Sequence, residues 1–310
     1  MSYLNGMNGL QTNLTEQIIV ENIDLAEFYI TNVCNLACEN CNRFNNFPRK
    51  GHIIFNEEQY IDWAEKFDLG LISIIGGEPL IHPGVLSYVT GLRKLWPTTG
   101  MLITSNGLQI NKVKNLYKTC LDNDCSIEIS FHDKDDLDIK IWTEIDKFKA
   151  ANGREWEEVK TETLHHIDRD GGKFTTEARS LADSNGFKFL FTNAHAFSTT
   201  NVKEYHGMTP MPHTSDPNKA YHDCQLKHSH TFFDGELYKC GFIAAAKEFV
   251  KFRGAEEHWQ KLFDYQPITM DTLDANWRDR FFASEDVCSL CAEKARYGKC
   301  ITSLKKEYKQ

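Results

Sequence analysis

An array of three closely spaced cysteines is the part of this sequence best suited to chemistry. Cys34, Cys38 and Cys41 follow one another in a C-x3-C-x2-C spacing, directly after a strand-like run at 26–31. Thiolates are soft ligands that select iron–sulfur clusters or zinc. Three of them hold three corners of a cubane and leave one iron open to a small molecule. The array alone is also compatible with a zinc site or with reduced core cysteines.

Two further short motifs follow strand-like runs in the same way. The GGEP motif at 76–79 follows the apolar run 71–75, and the SNG motif at 105–107 follows the run 101–104. Together, the cysteine array and the GGEP turn resemble the radical S-adenosylmethionine (SAM) superfamily, over about residues 26–193.

The resemblance implies a set of site residues. In this superfamily three cysteines hold a 4Fe–4S cluster, and the open iron chelates the amino and carboxylate groups of SAM. The expected catalytic ligands are therefore Cys34, Cys38 and Cys41. The residues that the resemblance places at the SAM pocket are Asn40, Gly76, Gly77, Glu78, Pro79, Ser105, Asn106, Ser130 and His132. Asn40 departs from the family pattern, because this position is usually aromatic and an asparagine side chain cannot stack on adenine.

Strand-like and helix-like segments alternate along the chain. The predicted strands are 26–31, 71–75, 101–104, 126–130, 159–165 and 187–191, and the predicted helices are 60–67, 85–96, 110–121, 139–148, 176–182, 256–263 and 273–282. Six βα repeats predict an α/β fold, a partial (β/α)6 TIM-like barrel that is open on one side.

The candidate SAM-pocket residues fall just past the C-terminal ends of the predicted strands. Active sites of βα barrels gather at that edge, because the loops there converge. The short polar side chains of Ser130 and Asn106 suit contacts to ribose hydroxyls or carboxylates, although such residues are also ordinary turn formers. His132 either lines the SAM or substrate pocket or caps a loop.

A second group of cysteines lies in the C-terminal third of the chain. Its members are Cys224, Cys240, Cys288 and Cys291. A hairpin with an Asp-Gly turn is predicted over 232–240, inside this group. The pattern resembles the twitch domain, a small α+β extension that is the shortened form of the SPASM extension of some radical SAM enzymes. In twitch domains four such cysteines hold one auxiliary 4Fe–4S cluster, so we expect two clusters in all.

Zinc is the competing interpretation of this second group. A C-x2-C pair also occurs in zinc ribbons, and His222, His228 and His230 lie nearby. Cys300 is left over and is interpreted as a spare residue. Two other cysteines are expected to be small core residues. They are Cys120 and Cys125.

Composition restricts the classes of partner. The chain has 310 residues, of which 41% are hydrophobic, and a net charge of −9 without a basic stripe, so nucleic acid is not an expected partner. We find no secretory signal and no apolar run of membrane-spanning length, so no membrane partner is expected. Cysteines in a chain without a signal are expected to be reduced ligands in the cytoplasm. The expected division is an arm at 1–20, a core at 21–200 and the twitch-like unit at 201–310.

The resemblance implies reductive cleavage of SAM to a 5′-deoxyadenosyl radical that takes a hydrogen atom from a substrate. We expect an oxidoreductase, a dehydrogenase or an epimerase, acting on a small polar molecule such as a sugar, cyclitol or nucleotide derivative. A reductant such as flavodoxin or ferredoxin would supply electrons. One alternative is a peptide-modifying enzyme that forms thioethers or epimerises residues, against which the chain shows no leader-capturing domain. The other is a non-catalytic protein that binds zinc or a cluster.

Overall fold

Most strands of the chain belong to one sheet. The computed structural model describes residues 21–38, 41–44, 51–132, 135–167, 173–193, 202–206, 209–224, 226–294 and 305. The strands in chain order are β1 (Glu21–Tyr29), β2 (Phe67–Ile75), β3 (Gly100–Ser105), β4 (Cys125–Phe131), β5 (Trp156–Ile167), β6 (Lys173–Asp183), β7 (Lys188–Asn193), β8 (Glu204–His206), β9 (Thr209–Met211), β10 (Ser229–Phe233) and β11 (Glu236–Tyr238). The expected arm at 1–20, Asn40 and Cys300 lie outside the described residues.

The sheet has nine strands in the order β11-β10-β1-β2-β3-β4-β7-β6-β5, and β8 pairs with β9 separately. The six strands from β10 to β7 in this order run parallel to their neighbours. Antiparallel partners extend both ends, β11 beside β10 and the β5–β6 pair beside β7. The described strands thus form an open, mixed α/β sheet with six parallel strands, which confirms the predicted partial barrel.

The helices in chain order are α1 (Ile61–Lys66), α2 (Val85–Leu95), α3 (Leu116–Asp122), α4 (Asp135–Asn152), α5 (Pro217–His222), α6 (Gly241–Arg253), α7 (Gln260–Asp264) and α8 (Trp277–Phe281). One side of the sheet packs against apolar side chains from this layer. Phe28 of β1 stacks on Phe232 of β10 and meets Trp96, which follows α2, edge to face. Burying one such side chain stabilises the fold by about 1.5–3 kcal/mol.

One segment differs from its prediction. The expected helix at 176–182 is wrong, because this segment belongs to β6. β6 hydrogen-bonds to β5 on one side and to β7 on the other, and these ladders override the helical preference of its Glu-Ala-Arg run. The predicted strand at 159–165 exists within β5, but it pairs antiparallel. The sixth parallel strand is instead β10, from the C-terminal third of the chain.

The C-terminal elements follow their predictions in part. The hairpin is confirmed, and Asp234 and Gly235 at its turn both have positive φ, 51° and 80°, as a type I′ turn requires. The helix predicted over 110–121 begins only at Leu116, and α6 was not predicted. No helix in the described part of the chain has both the length and the apolar character needed to cross a membrane.

Candidate functional site

The GGEP turn after β2 holds the cysteine loop after β1 through backbone hydrogen bonds. The N–H of Gly77 donates to the carbonyl of Thr31 at 2.7 Å, and the N–H of Glu78 donates to the carbonyl of Val33 at 2.8 Å. A Cβ atom added to Gly76 would overlap the carbonyl oxygen of Thr31, and one added to Gly77 would overlap that of Val33. The two glycines are therefore required by the close approach of two backbones.

Glu78 is fully buried and links this turn to the end of β3. Its carboxylate accepts hydrogen bonds from the N–H of Leu80 at 3.0 Å, the hydroxyl of Ser105 at 2.7 Å and the N–H of Asn106 at 2.8 Å. Burial raises the pKa of Glu78 to about 7, against the opposing effect of these donors. Because both carboxylate oxygens already accept hydrogen bonds, Glu78 has a structural role: it connects the turn after β2 to the loop after β3.

Asn106 continues the same network into the cysteine loop. Its side-chain amide donates to Oδ1 of Asn35 at 2.8 Å, and its own Oδ1 accepts from the N–H of Leu108 at 3.1 Å. Within the described residues, Nδ2 of Asn35 is buried without a hydrogen-bond partner. A donor of this kind, beside Cys34, is available to a ligand that carries a polar acceptor.

The first group of thiols lies in tight turns. Cys34 is buried, and its sulfur accepts a hydrogen bond from the N–H of Leu36 at 3.4 Å. The pKa of Cys34 is raised by burial, then by the charge of Glu78, and further by Cys41 and Cys38. Cys38 and Cys41 therefore both lie within electrostatic reach of Cys34. Across the described ranges, no group of three or more Cys, His, Asp or Glu side chains is arranged to hold a metal ion.

The remaining predicted pocket residues in the described part of the chain are Pro79, Ser130 and His132. Pro79 is buried and begins the short 3-10 helix Pro79–Ile81. His132, at the end of β4, is buried; its Nδ1 hydrogen-bonds to the carbonyl of Ser130 at 3.0 Å, and its N–H donates to Asp138 at 3.3 Å. These contacts hold His132 in its loop.

The sequence analysis missed a row of polar side chains across the face of the parallel strands opposite Phe28. The members of this polar sheet face are Glu27, Ser73, Thr104, Glu128 and Thr231. Thr231 donates to Glu27 at 2.8 Å, Ser73 and Thr104 lie 2.9 Å apart, and Thr104 donates to Glu128 at 2.9 Å. The signal was a glutamate at an alternating position of a strand otherwise rich in apolar residues.

The second group of cysteines meets at one small cavity. Cys224, Cys240, Cys288 and Cys291 all line it, together with Tyr221 and Lys239. They come from separate elements: Cys224 follows α5, Cys240 precedes α6, and the other two lie on or after the 3-10 helix Asp286–Leu290. Burial raises the pKa of each thiol, to about 12 for Cys240. The fold thus brings four thiols from distant parts of the sequence to one place.

Lys239 is a buried cation in this cavity. Its Nζ donates to the carbonyls of Arg280 and, at 2.6 Å, Ala283, and lies 3.6 Å from the carboxylate of Glu285. Desolvation lowers the pKa of Lys239, and the nearby Cys288 and Glu285 oppose that change. Among the residues that line the cavity, none is a histidine. His230 is instead buried with its Nδ1 2.8 Å from the carbonyl oxygen of Lys239.

Sequence comparison finds relatives that match part of the chain. No protein-family profile matches the chain. The GTP 3′,8-cyclase of Thermodesulfovibrio yellowstonii is 32% identical over 111 residues, which is 32% of this chain and 33% of the relative. That of Alkaliphilus metalliredigens is 30% identical over 94 residues, 29% of each chain. These relatives are radical SAM enzymes. Over about a third of its length, the chain is similar to radical SAM enzymes.

The extent of these matches is limited. The chain spans about a third of the length of the curated relatives it matches. A solved structure described as BtrN in complex with AdoMet and 2-DOIA covers 90% of this chain and 100% of its own, with a TM-score of 0.46 and 13% identity. A likeness at this level decides neither fold nor function.

The residues of this chain fit the cofactors of radical SAM enzymes, a 4Fe–4S cluster and SAM. The first loop offers soft thiol donors, as a cluster needs. The buried, unpartnered Nδ2 of Asn35 offers a hydrogen bond to a carboxylate beside Cys34. The hydrogen bonds from Glu78 through Asn106 to Asn35 hold the cysteine loop, which carries both the thiols and the Asn35 amide.

Proposed function

We propose that this chain is a radical SAM oxidoreductase that removes hydrogen from a small polar substrate. When bound, the first cluster and SAM would supply a 5′-deoxyadenosyl radical, by one-electron reduction of SAM to methionine. Cys34, Cys38 and Cys41 would hold this cluster, and the Asn35 amide would orient SAM. The observation that carries the proposal is the polar sheet face, which lies beside the cysteine loop inside an otherwise apolar sheet.

The polar sheet face supports the substrate class. Hydroxyls and carboxylates on neighbouring strands present both donors and acceptors, which suit a substrate with several hydroxyl groups. Sugar, cyclitol and nucleotide derivatives all meet that requirement. GTP is one of the first candidates to test, because the relatives are named GTP 3′,8-cyclases. The carboxylate of Glu128 would oppose a triphosphate close to it, so we favour a sugar or cyclitol.

The C-terminal cysteines support an electron-transfer role. We propose that Cys224, Cys240, Cys288 and Cys291 hold an auxiliary 4Fe–4S cluster within a twitch-like unit over 201–310, whose strands β10 and β11 extend the sheet of the core over 21–200. With all four ligands from the protein, such a cluster has no open iron for substrate. In a dehydrogenation the substrate loses one hydrogen as an atom to the radical. It loses the second as a proton plus an electron, for which the auxiliary cluster is the acceptor.

The test is an anaerobic turnover experiment with reconstituted protein, SAM and a reductant such as flavodoxin or ferredoxin, or dithionite. Candidate sugars, cyclitols and nucleotides, with GTP among them, are incubated and followed by mass spectrometry. Loss of two hydrogens from one substrate, with one 5′-deoxyadenosine per product, is the expected result. A product of unchanged mass indicates epimerisation or cyclisation instead. Absence of 5′-deoxyadenosine under all conditions contradicts the proposal and favours a non-catalytic binding protein.

A peptide-modifying enzyme is the second candidate. The four-thiol cavity is shared by both candidates, so the substrate separates them. The buried side chains of Glu27, Ser73 and Thr231 on the polar sheet face argue for a small molecule that is enclosed by the protein. Peptide libraries in the same assay, scored for thioether formation or epimerisation, test the alternative directly.

A further inference from the structure

One buried arginine connects the two groups of cysteines. Arg43 comes two residues after Cys41, and only 3% of its surface is exposed. Its guanidinium forms an ion pair with Glu27 on β1 and lies directly over Gly241, the first residue of α6. A Cβ atom on Gly241 would occupy the position of Nη1. Since Gly241 follows Cys240, this cation from the first loop reaches the second group.

The residues around the guanidinium of Arg43 do not satisfy all of its hydrogen-bond donors. Within the described part of the chain, its Nε and Nη1 atoms are buried without hydrogen-bond partners. Burying donors of a charged group in this way without partners is energetically unfavourable. An additional anionic acceptor beside Cys240 would satisfy these two donors.

Arg43 differs in its contacts from Lys239, another buried cation near the second group of cysteines. The Nζ of Lys239 is held by carbonyls at and just beyond the end of α8, so its contacts remain within the C-terminal third. Arg43 instead joins two parts of the sequence about 200 positions apart. It therefore connects the loop of the first cluster to a ligand of the second.

We propose that Arg43 is a positioning residue that fixes the first cysteine loop against the auxiliary cluster and raises the reduction potential of that cluster. This inference rests on the proposed auxiliary cluster. A cubane with four thiolate ligands is anionic and becomes more so on reduction, so a nearby desolvated cation favours the reduced form. A higher potential makes the cluster a better acceptor for the second electron of a dehydrogenation.

The test is an EPR-monitored redox titration of intact, reconstituted protein. Added SAM changes the signal of the first cluster and so distinguishes it from the auxiliary one. In Arg43→Gln we expect the ratio of reduced to oxidised auxiliary cluster at a fixed potential to fall tenfold. This corresponds to a reduction potential that is lower by about 59 mV for one electron. Arg43→Lys, which keeps the charge, should retain most of the wild-type potential.

Gly241→Ala gives an independent variant, because its methyl group must displace the guanidinium while the charge is conserved. Like Arg43→Gln, it should lower the reduction potential of the auxiliary cluster. It therefore tests the role of Arg43 even if Arg43→Gln does not fold. The control is Arg179→Gln, since Arg179 is exposed on β6, at the other end of the sheet. Unchanged potentials in both Arg43→Gln and Gly241→Ala overturn the inference.

Iron content separates this inference from the proposed function. A wild type with ~8 iron per chain and no shift in the variants overturns the role of Arg43 alone. A wild type with ~4 iron overturns the auxiliary cluster and with it the role of Arg43. A loss of iron in Arg43→Gln with no shift in the potential of the remaining clusters shows a structural role only, and also overturns the inference.

Discussion

The side-chain carboxylate of Glu78 accepts a hydrogen bond from the backbone N–H of Asn106 at 2.8 Å, which fastens the turn after β2 to the end of β3. The same carboxylate holds the hydroxyl of Ser105 at 2.7 Å. Through Asn106 and Asn35 the network reaches the cysteine loop after β1. The C-terminal ends of three neighbouring parallel strands are thus joined by one network of buried side chains, those of Glu78, Asn106 and Asn35.

Replacement of Glu78 by alanine should loosen this junction. Two buried backbone N–H groups would lose their acceptor, at a cost of about 1–3 kcal/mol each, and the SAM loops would lose their alignment. We expect a lower melting temperature and weaker SAM binding, with the iron content unchanged. Isothermal titration with SAM and iron analysis measure both effects. Glu58→Ala, at an exposed glutamate, is the control, and SAM binding equal to wild type removes Glu78 from the site.

The buried Glu78 also predicts a pH dependence of stability. Its folded-state pKa of about 7 lies above the ordinary value of 4.5, so the native state binds this proton more tightly than the unfolded state does. This contribution is complete below pH 4.5 and is lost as the pH rises through 7. It amounts to at most about 3 kcal/mol.

Urea unfolding of metal-free protein between pH 5 and 8 measures this effect. Glu78→Gln does not titrate, so the free energy of unfolding of the wild type minus that of Glu78→Gln should decrease as the pH rises. A difference that stays flat or increases shows that hydrogen bonding outweighs burial at this carboxylate.

Gly77→Ala should disrupt the first cysteine loop selectively. The added methyl group would overlap the carbonyl oxygen of Val33, in the backbone beside Cys34. We expect the iron content to fall from ~8 to ~4 per chain and SAM cleavage to be lost. Gly100→Ala is the matched control, because its nearest neighbour would be the flexible tip of Leu71 at 3.2 Å. Equal iron in the two variants would refute this role of the turn.

Replacement of Cys34, Cys38 and Cys41 together by alanine should remove one cluster and abolish SAM cleavage, because no open iron remains. Formation of 5′-deoxyadenosine is measured by chromatography after reduction with dithionite. Cys120→Ala is a matched control, since this buried cysteine belongs to the hydrophobic core beneath β4. Continued SAM cleavage by the triple variant would mean that the catalytic cluster lies elsewhere.

Removal of Cys288 and Cys291 should affect only the second group. Iron should fall from ~8 to ~4, and SAM cleavage under dithionite should persist. Net two-electron oxidation of substrate should stop, since the second electron has no acceptor. Cys300→Ala should leave iron unchanged. One zinc with ~4 iron in the wild type would contradict the auxiliary cluster and the dehydrogenase hypothesis together.

Sequence patterns predicted the elements whose partners lie close along the chain. The strands 71–75, 101–104 and 126–130 lie within β2, β3 and β4, because apolar runs bounded by turns specify buried parallel strands. The segment 176–182 was predicted wrongly because its conformation depends on ladders with two other strands. The ion pair of Arg43 with Glu27 had no local signal, since only the folded sheet brings the two residues together.

The sheet also has a consequence for the order in which the chain can fold. β1 obtains one of its two parallel neighbours only from β10, with Glu27 and Thr231 meeting across 204 positions of sequence. Until β10 leaves the ribosome, one edge of β1 has its backbone donors and acceptors unpaired, a state prone to wrong association. Closing so long a loop is slow compared with local hairpin formation. The newly made protein therefore passes through a stage in which its apolar strands are formed but its sheet still has an open border.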